Sequence, residues 1–173
     1  MEKKIRTIAF LSTRSFSAYL DEVLLQNNQM GQRMRIDHPE ASAIIPFLSD
    51  KEILMVRQYR YALGRETLEI PAGKLDPGEN PEECIRRELL EETGYEAGKI
   101  EWICTYAPAL GYSNELIHIY SGHQLRKADT VIDQREIASV EKIPVEKLKS
   151  MIKERLILDG KTLLGLSLMR IIP

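Results

Sequence analysis

The chain has 173 residues, 43% of them hydrophobic and 29% charged, with a formal charge of −2 at pH 7. That length supports one packed domain with a small appended element, and the composition is that of an ordinary globular protein. The near-neutral charge excludes a dedicated nucleic-acid binder, which needs a basic excess to meet a phosphate backbone, and no apolar run approaches the roughly 18 residues of a membrane span.

The N-terminus MEKKIRTIAFLSTRSF has an apolar core of only IAFL, which makes a poor signal peptide, so a cytoplasmic location is expected. Residues 3 to 36 read as the strands IRTIAFL, YLDEVLLQ and MRID, separated by polar turns such as QNNQMGQ. This β extension, residues 1–36, is too small to bury a core alone; it should pack on the main domain, residues 37–173, or on a second subunit. ASAIIPFL and EILMVRQYR, joined by SDK, predict a hairpin. TLEIPAG predicts a short strand ending in a Pro-Ala-Gly loop. KIEWICTYA and ELIHIYSGHQL are further strands joined by PALGYSN, IASVEKI is a last strand, and PVEKLKSMIKER and GKTLLGLSLMRII are helical. Strands interleaved with a few helices predict an α/β fold with helices packed on a mixed sheet. Cys84 and Cys104 belong to no CxxC pair and read as small buried hydrophobes, and His38, His118 and His123 lack metal-ligand spacing.

The segment GKLDPGENPEECIRRELLEETGY, from Gly73 to Tyr95, carries the chemistry. Asn80 is a good N-cap, Pro81 suits the first helical position, and Glu82 and Glu83 suit the positive end of the helix dipole. Asn80 and Glu83 resemble a capping box, and Gly94 is placed to end the helix, so the predicted span is Pro81 to Thr93. Ile85 and Leu89 can face a core. Glu88, Glu91 and Glu92 fall at i, i+3 and i+4, which puts three carboxylates within about 5–6 Å on one face, where they repel. Spacing alone leaves two readings open: a solvated face neutralised by Arg86 and Arg87, or a site for a hard divalent cation such as Mg²⁺.

The order Gly73, five residues, Glu79, seven residues, then RELLEETGY from Arg87 resembles the signature box of the Nudix hydrolases. Gly73, Glu79, Arg87, Glu88, Leu89, Glu91, Glu92 and Gly94 match it, and Tyr95 stands where a bulky aliphatic is typical. The resemblance implies an α/β/α sandwich that cleaves a diphosphate linked to another moiety, usually with Mg²⁺, with Mn²⁺ as a substitute. It implies Glu88 and Glu92 as metal ligands, Glu91 as ligand or metal-bound base, and the Ala72 carbonyl as a further ligand. Glu79 would lie near the metal, and Arg87 would hold the glutamates through charge-assisted hydrogen bonds.

VRQYR, LEIPAGKLDPGE and the N-terminal strands are similar to the ADP-ribose pyrophosphatase and nucleoside-diphosphate-sugar hydrolase branch, in which that extension often swaps across a homodimer. This implies a nucleoside diphosphate sugar as substrate, with neither nucleic acid nor membrane as partner. Arg60 matches an arginine that contacts substrate. Arg14, Arg57 and Arg65 can join it around a dianionic diphosphate, and Glu69 can accept a hydrogen bond from the nucleotide or from a partner residue. In the downstream loop APALGYSNE, Gly111 and Glu115 are in place, but Leu110 stands where the branch has proline. That departure keeps GDP-mannose open beside ADP-ribose. Glu136, in DTVIDQREIASVE, is the expected loop base, and Phe16 or Tyr19 can stack on a nucleobase. A sensing domain without catalysis is disfavoured by the intact acids of the box.

Overall fold

The computed structural model describes residues 1–130 and 137–172. Its chain divides into two compact units, Met1–Glu40 with Tyr106–Leu116, and Ala41–Thr105 with Ile117–Pro173.

In the first unit, strands β1 (Lys3–Ser12), β2 (Ser17–Leu24) and β3 (Met30–Asp37) form an antiparallel sheet in that order. Its apolar burial is slight: Val23 is buried, whereas β1 is exposed along its whole length. Polar contacts do much of the fastening. Asp21, itself buried, accepts from Thr7 Oγ1 at 2.7 Å and pairs with Lys4 at 3.2 Å, while the Arg35 guanidinium lies 4.1 Å from the centre of the Tyr19 ring. The loop PALGYSN belongs to this unit because the Ile36 N–H donates to the Tyr112 carbonyl at 2.7 Å and the Asn114 N–H donates to the Ile36 carbonyl at 3.2 Å.

The second unit is a seven-stranded mixed sheet. The order is β10 (Ile137–Pro144), β5 (Glu52–Arg60), β4 (Ala41–Ser49), β9 (Ile117–Lys127), β8 (Tyr95–Tyr106), with β6 (Arg65–Glu69) on β5 and β7 (Ala72–Lys74) on β4. The β4 and β9 strands run parallel, whereas β10, β6 and β7 pair antiparallel. Successive side chains of a strand point to opposite faces, so an unbroken apolar run is buried on both sides. Ala43, Ile44 and Ile45 of β4 are such a run, each without solvent exposure. On one face Ile44 and Tyr120 pack against Ile85 and Leu89 of helix α1 (Pro81–Thr93). On the other, Ile45 and Ile119 lie against Gly165 of helix α3 (Gly160–Leu168), where an added Cβ would approach Ile45 Cδ1 to 3.0 Å. A helix on each face of a mixed sheet is the expected sandwich. Helix α2 (Val145–Lys153) buries Leu148. Among the described residues no helix is long and apolar enough to cross a membrane.

Local signals place α1 where the sequence predicts it. Asn80 Oδ1 accepts from the Glu82 and Glu83 N–H groups, the Glu83 side chain returns to the Asn80 N–H at 3.2 Å, and Gly94 closes the helix in the left-handed region at φ 72°. TLEIPAG ends its first strand before Pro71, as read, but Ala72–Lys74 forms a strand of its own on β4 instead of a loop. Pro71 has no N–H to give a ladder, and the Ile70 N–H is taken by Thr162 Oγ1 at 3.0 Å, so the chain crosses from β5 to β4 at that point. Replacing Asn80 with Ala should cost about 1 kcal/mol and lower the thermal midpoint by roughly 2–4 °C, as read by circular dichroism.

Candidate functional site

Helix α1 and the loop that leads into it present the acidic residues of the box, beside strand β7. Arg87 is the organising group. Its Nε and Nη2 donate to the two oxygens of Glu79, each at 2.9 Å, and its Nη1 donates to Glu88 Oε1 at 2.7 Å and to Glu91 Oε2 at 3.3 Å. Nη2 also reaches the Lys74 carbonyl at 3.1 Å, which ties the fork to the end of β7. This is the bidentate geometry at which a guanidinium binds carboxylate most strongly. Glu79 accepts a further bond from the Asp76 N–H at 2.9 Å. The Arg87 bonds hold the Glu79 carboxyl down at about 2, against a smaller upward push from burial.

Glu88 and Glu92 are held against the strand. The Glu88 carboxylate lies over Gly73, so close that a Cβ at that position would stand 1.9 Å from it, and only glycine fits there. Glu92 is buried, with 8% of its surface exposed, and its Oε2 accepts from the Ala72 N–H at 3.0 Å. Burial pushes Glu92 up to about 8, helped by the Glu88 charge and opposed by the Ala72 N–H and by Lys161 and Arg60. Burial also pushes Glu88 upward, against the pull of Arg87. At both positions, the buried Glu92 and the half-buried Glu88, burial therefore disfavours the charged form, and the protein neighbours do not fully offset it.

As they stand, no three His, Cys, Asp or Glu side chains among the described residues converge on one point as a metal cage would require. The donor set nevertheless suits a hard cation: Glu88, Glu91 and Glu92 carry oxygen donors of the kind such a cation takes, and the segment of Ala72 and Gly73 passes beside Glu92 and Glu88. Divalent charge at this point would balance the two carboxylates that burial disfavours.

The remaining expected residues fall into separate groups. Arg57 pairs with Glu141 across β5 and β10 at 2.6 Å. Arg60 grips Glu69 with a two-pronged bond, Nε to Oε1 at 2.7 Å and Nη2 to Oε2 at 2.5 Å, and leaves 44% of its side chain exposed. Glu69 is buried with both oxygens engaged, Oε1 also by Thr67 Oγ1 at 2.6 Å and Oε2 by Lys161 Nζ at 2.5 Å. Phe16, Gly111 and Glu115 belong to the other unit. There Phe16 stacks on the His38 ring with centroids 6.3 Å apart, and Glu115 lies 3.4 Å from His38 Nδ1. An added Cβ on Gly111 would meet nothing within 4 Å. Glu136 lies outside the described residues.

Sequence reasoning missed Lys161, Asp159 and Thr162. Asp159 caps α3, with its Oδ2 accepting from the Thr162 N–H at 3.0 Å and from Thr162 Oγ1 at 2.5 Å; Lys161, buried, lies 3.0 Å from the same oxygen. The available signal was a lone charged residue in the mostly apolar stretch GKTLLGLSLM.

The NUDIX domain model matches residues 37–161. A methanol dehydrogenase activator of Bacillus methanolicus is 36% identical over 172 residues, covering 98% of this chain and 93% of that protein. An ADP-ribose pyrophosphatase of Bacillus subtilis is 33% identical over 163 residues (93% and 88% covered), and a GDP-mannose pyrophosphatase of Citrobacter koseri is 35% identical over 142 residues (76% and 73% covered). The crystal structure of an ADP compounds hydrolase superposes with a TM-score of 0.82 at 21% identity, covering 97% of this chain and 93% of that one, which shows the shared fold.

The Glu92 environment makes a signed prediction. A carboxyl whose folded value is raised from 4.5 to about 8 contributes stability below pH 4.5 that is lost as pH rises through 8. In a chelator, Glu92→Gln should therefore melt several degrees above the parent at pH 8, and the gap should close at pH 4.5. Adding Mg²⁺ at pH 8 should raise the parent midpoint and leave that of the variant unmoved.

Proposed function

This chain belongs to the NUDIX domain family, and from that premise we propose that it is a cytoplasmic, divalent-cation-dependent pyrophosphohydrolase that splits ADP-ribose into AMP and ribose 5-phosphate. The observation that carries the reading is the Arg87 fork, which gathers Glu79, Glu88 and Glu91 beside the buried Glu92, itself bonded to the Ala72 N–H of β7. The ADP-ribose and GDP-mannose pyrophosphatases among the relatives support a nucleoside diphosphate sugar as substrate, and GDP-mannose is the alternative within that class.

Glu88, Glu92, Glu91 and the Ala72 carbonyl would hold the cation, Mg²⁺ with Mn²⁺ as a substitute. When bound, it supplies Lewis-acid polarisation of the phosphoryl oxygens and activation of water. Arg87 keeps the carboxylates in register and spares them the cost of mutual repulsion before substrate arrives. Glu91 is half exposed and held only by the longer 3.3 Å contact, so it is the box acid best placed to accept a proton from the attacking water; Glu136 is the second candidate base. Arg60 and Arg57 bind the diphosphate. Phe16, Gly111 and Glu115 serve the nucleoside end.

A homodimer is part of this reading. The edge strand β1 exposes Ile5, Ile8, Phe10 and Leu11, and Met30 and Met34 of β3, the opposite edge of the same sheet, are exposed as well. An apolar edge of this kind invites pairing, and a second copy is the proposed occupant. The relative named as a methanol dehydrogenase activator favours a second reading, in which hydrolysis by this chain regulates a dehydrogenase partner.

Phosphate release, coupled to a phosphatase and measured over ADP-ribose, GDP-mannose, UDP-glucose, diadenosine polyphosphates and deoxynucleoside triphosphates with Mg²⁺, tests the proposal. ADP-ribose should lead the panel. Glu92→Gln should lower turnover by at least about 100-fold, as loss of a ligand to a catalytic metal does. Inactivity across the panel would refute the hydrolase reading. Removing residues 1–36 should leave a monomer with a raised KM, and a fully active monomer would refute the role given to the extension.

A further inference from the structure

Resting on that reading, we propose that Lys161, in the first turn of α3, is a positioning residue that fixes how Arg60 meets the substrate diphosphate. Lys161 is a buried lysine, with 7% of its side chain exposed. Burying an ammonium group is costly unless it is paired, and the rest of α3 is mostly apolar, so packing alone gives no reason for a lysine here. Its Nζ meets Glu69 Oε2 at 2.5 Å and Asp159 Oδ2 at 3.0 Å.

Glu69 links it to Arg60. Each oxygen of this buried carboxylate takes two donors, Oε1 from Arg60 Nε and Thr67 Oγ1, Oε2 from Arg60 Nη2 and Lys161 Nζ. Thr67 and Lys161 thus grip opposite oxygens and fix the plane of the carboxylate. Arg60 binds that plane with one edge of its guanidinium, so the direction of its free edge follows from it. Lys161 also shares the Glu69 charge, which leaves more of the Arg60 positive charge to act outward on a dianion. Next to it, Thr162 Oγ1 accepts from the Ile70 N–H at 3.0 Å and anchors the crossing that leads to Ala72. The first turn of α3, 92 residues along the chain from Glu69, therefore sets both the arginine and the strand at the site.

The test compares Lys161→Met, Lys161→Arg, Arg60→Ala and the double variant Lys161→Met/Arg60→Ala in the full chain, by steady-state kinetics on ADP-ribose with Mg²⁺ and by calorimetric binding of ADP-ribose. Lys161→Met should raise KM about 10-fold, the scale on which supporting residues act, with kcat changed by no more than about threefold. Lys161→Arg should recover most of the loss. The double variant should be no worse than Arg60→Ala alone, because Lys161 acts through Arg60. A parental KM in Lys161→Met, or additive losses in the double variant, would overturn the proposal. If Lys161→Met does not fold, Glu69→Gln/Lys161→Met removes the buried pair together and should still show the raised KM; a parental KM there overturns the proposal equally. A parent chain that neither binds nor cleaves ADP-ribose or GDP-mannose overturns the hydrolase reading and this inference together. A parent that does both while Lys161→Met matches it overturns this inference alone.

Discussion

The Arg87 guanidinium holds in one place a set of carboxylates that would otherwise push apart. Glu88 and Glu91 share one helix face with Glu92, and Glu79 is brought to them from the preceding loop. Much of the second unit can be understood as support for this fork. The Asn80 cap and Gly94 set the limits of α1, Ile85 and Leu89 seat it on Ile44 and Tyr120, and β7 offers the Lys74 carbonyl to the same guanidinium. Gly73 lets the strand pass beneath Glu88, where any side chain would collide.

The balance of charge differs from one acid to the next. Glu79 and Glu69 have strong cationic partners, and each is held at about 2 despite an upward push from burial. Each therefore contributes stability that is present above pH 4.5 and is lost as pH falls toward 2. Glu92 is the opposite case, raised to about 8 because burial outweighs its partners. A fold selected for stability alone would place a neutral residue at that position. The chain keeps a carboxylate there, at a cost in stability, and a cation is the natural compensation.

Local signals made part of this legible in the sequence. Asn80, Pro81, Glu83 and Gly94 act within one or two turns, so the helix could be placed from residue types alone. The role expected of Arg87 is likewise short-range, since its partners lie within eight residues along the helix and its entry loop or at the end of β7. The end of the first strand of TLEIPAG at Pro71 was legible, but the strand Ala72–Lys74 that follows was not: Ala and Gly have little strand propensity, and their pairing with β4 is made only by the fold. The surroundings of Glu69 were hidden for the same reason: Arg60 is near in sequence, but Lys161 reaches it only through the fold. The attachment of PALGYSN to the N-terminal strands, made by backbone bonds at Ile36 and by the Asn114 side chain accepting from the His38 N–H, joins segments far apart in the chain and has no local signature to read.

The most direct test is anomalous diffraction from crystals grown with Mn²⁺ and a non-hydrolysable ADP-ribose analogue. The account predicts a strong manganese peak in direct coordination with the Glu88 and Glu92 carboxylates, with the analogue's diphosphate bound to the same ion. Well-ordered crystals that hold the analogue but show no manganese at those carboxylates would contradict the claim that the acidic helix exists to bind a catalytic cation.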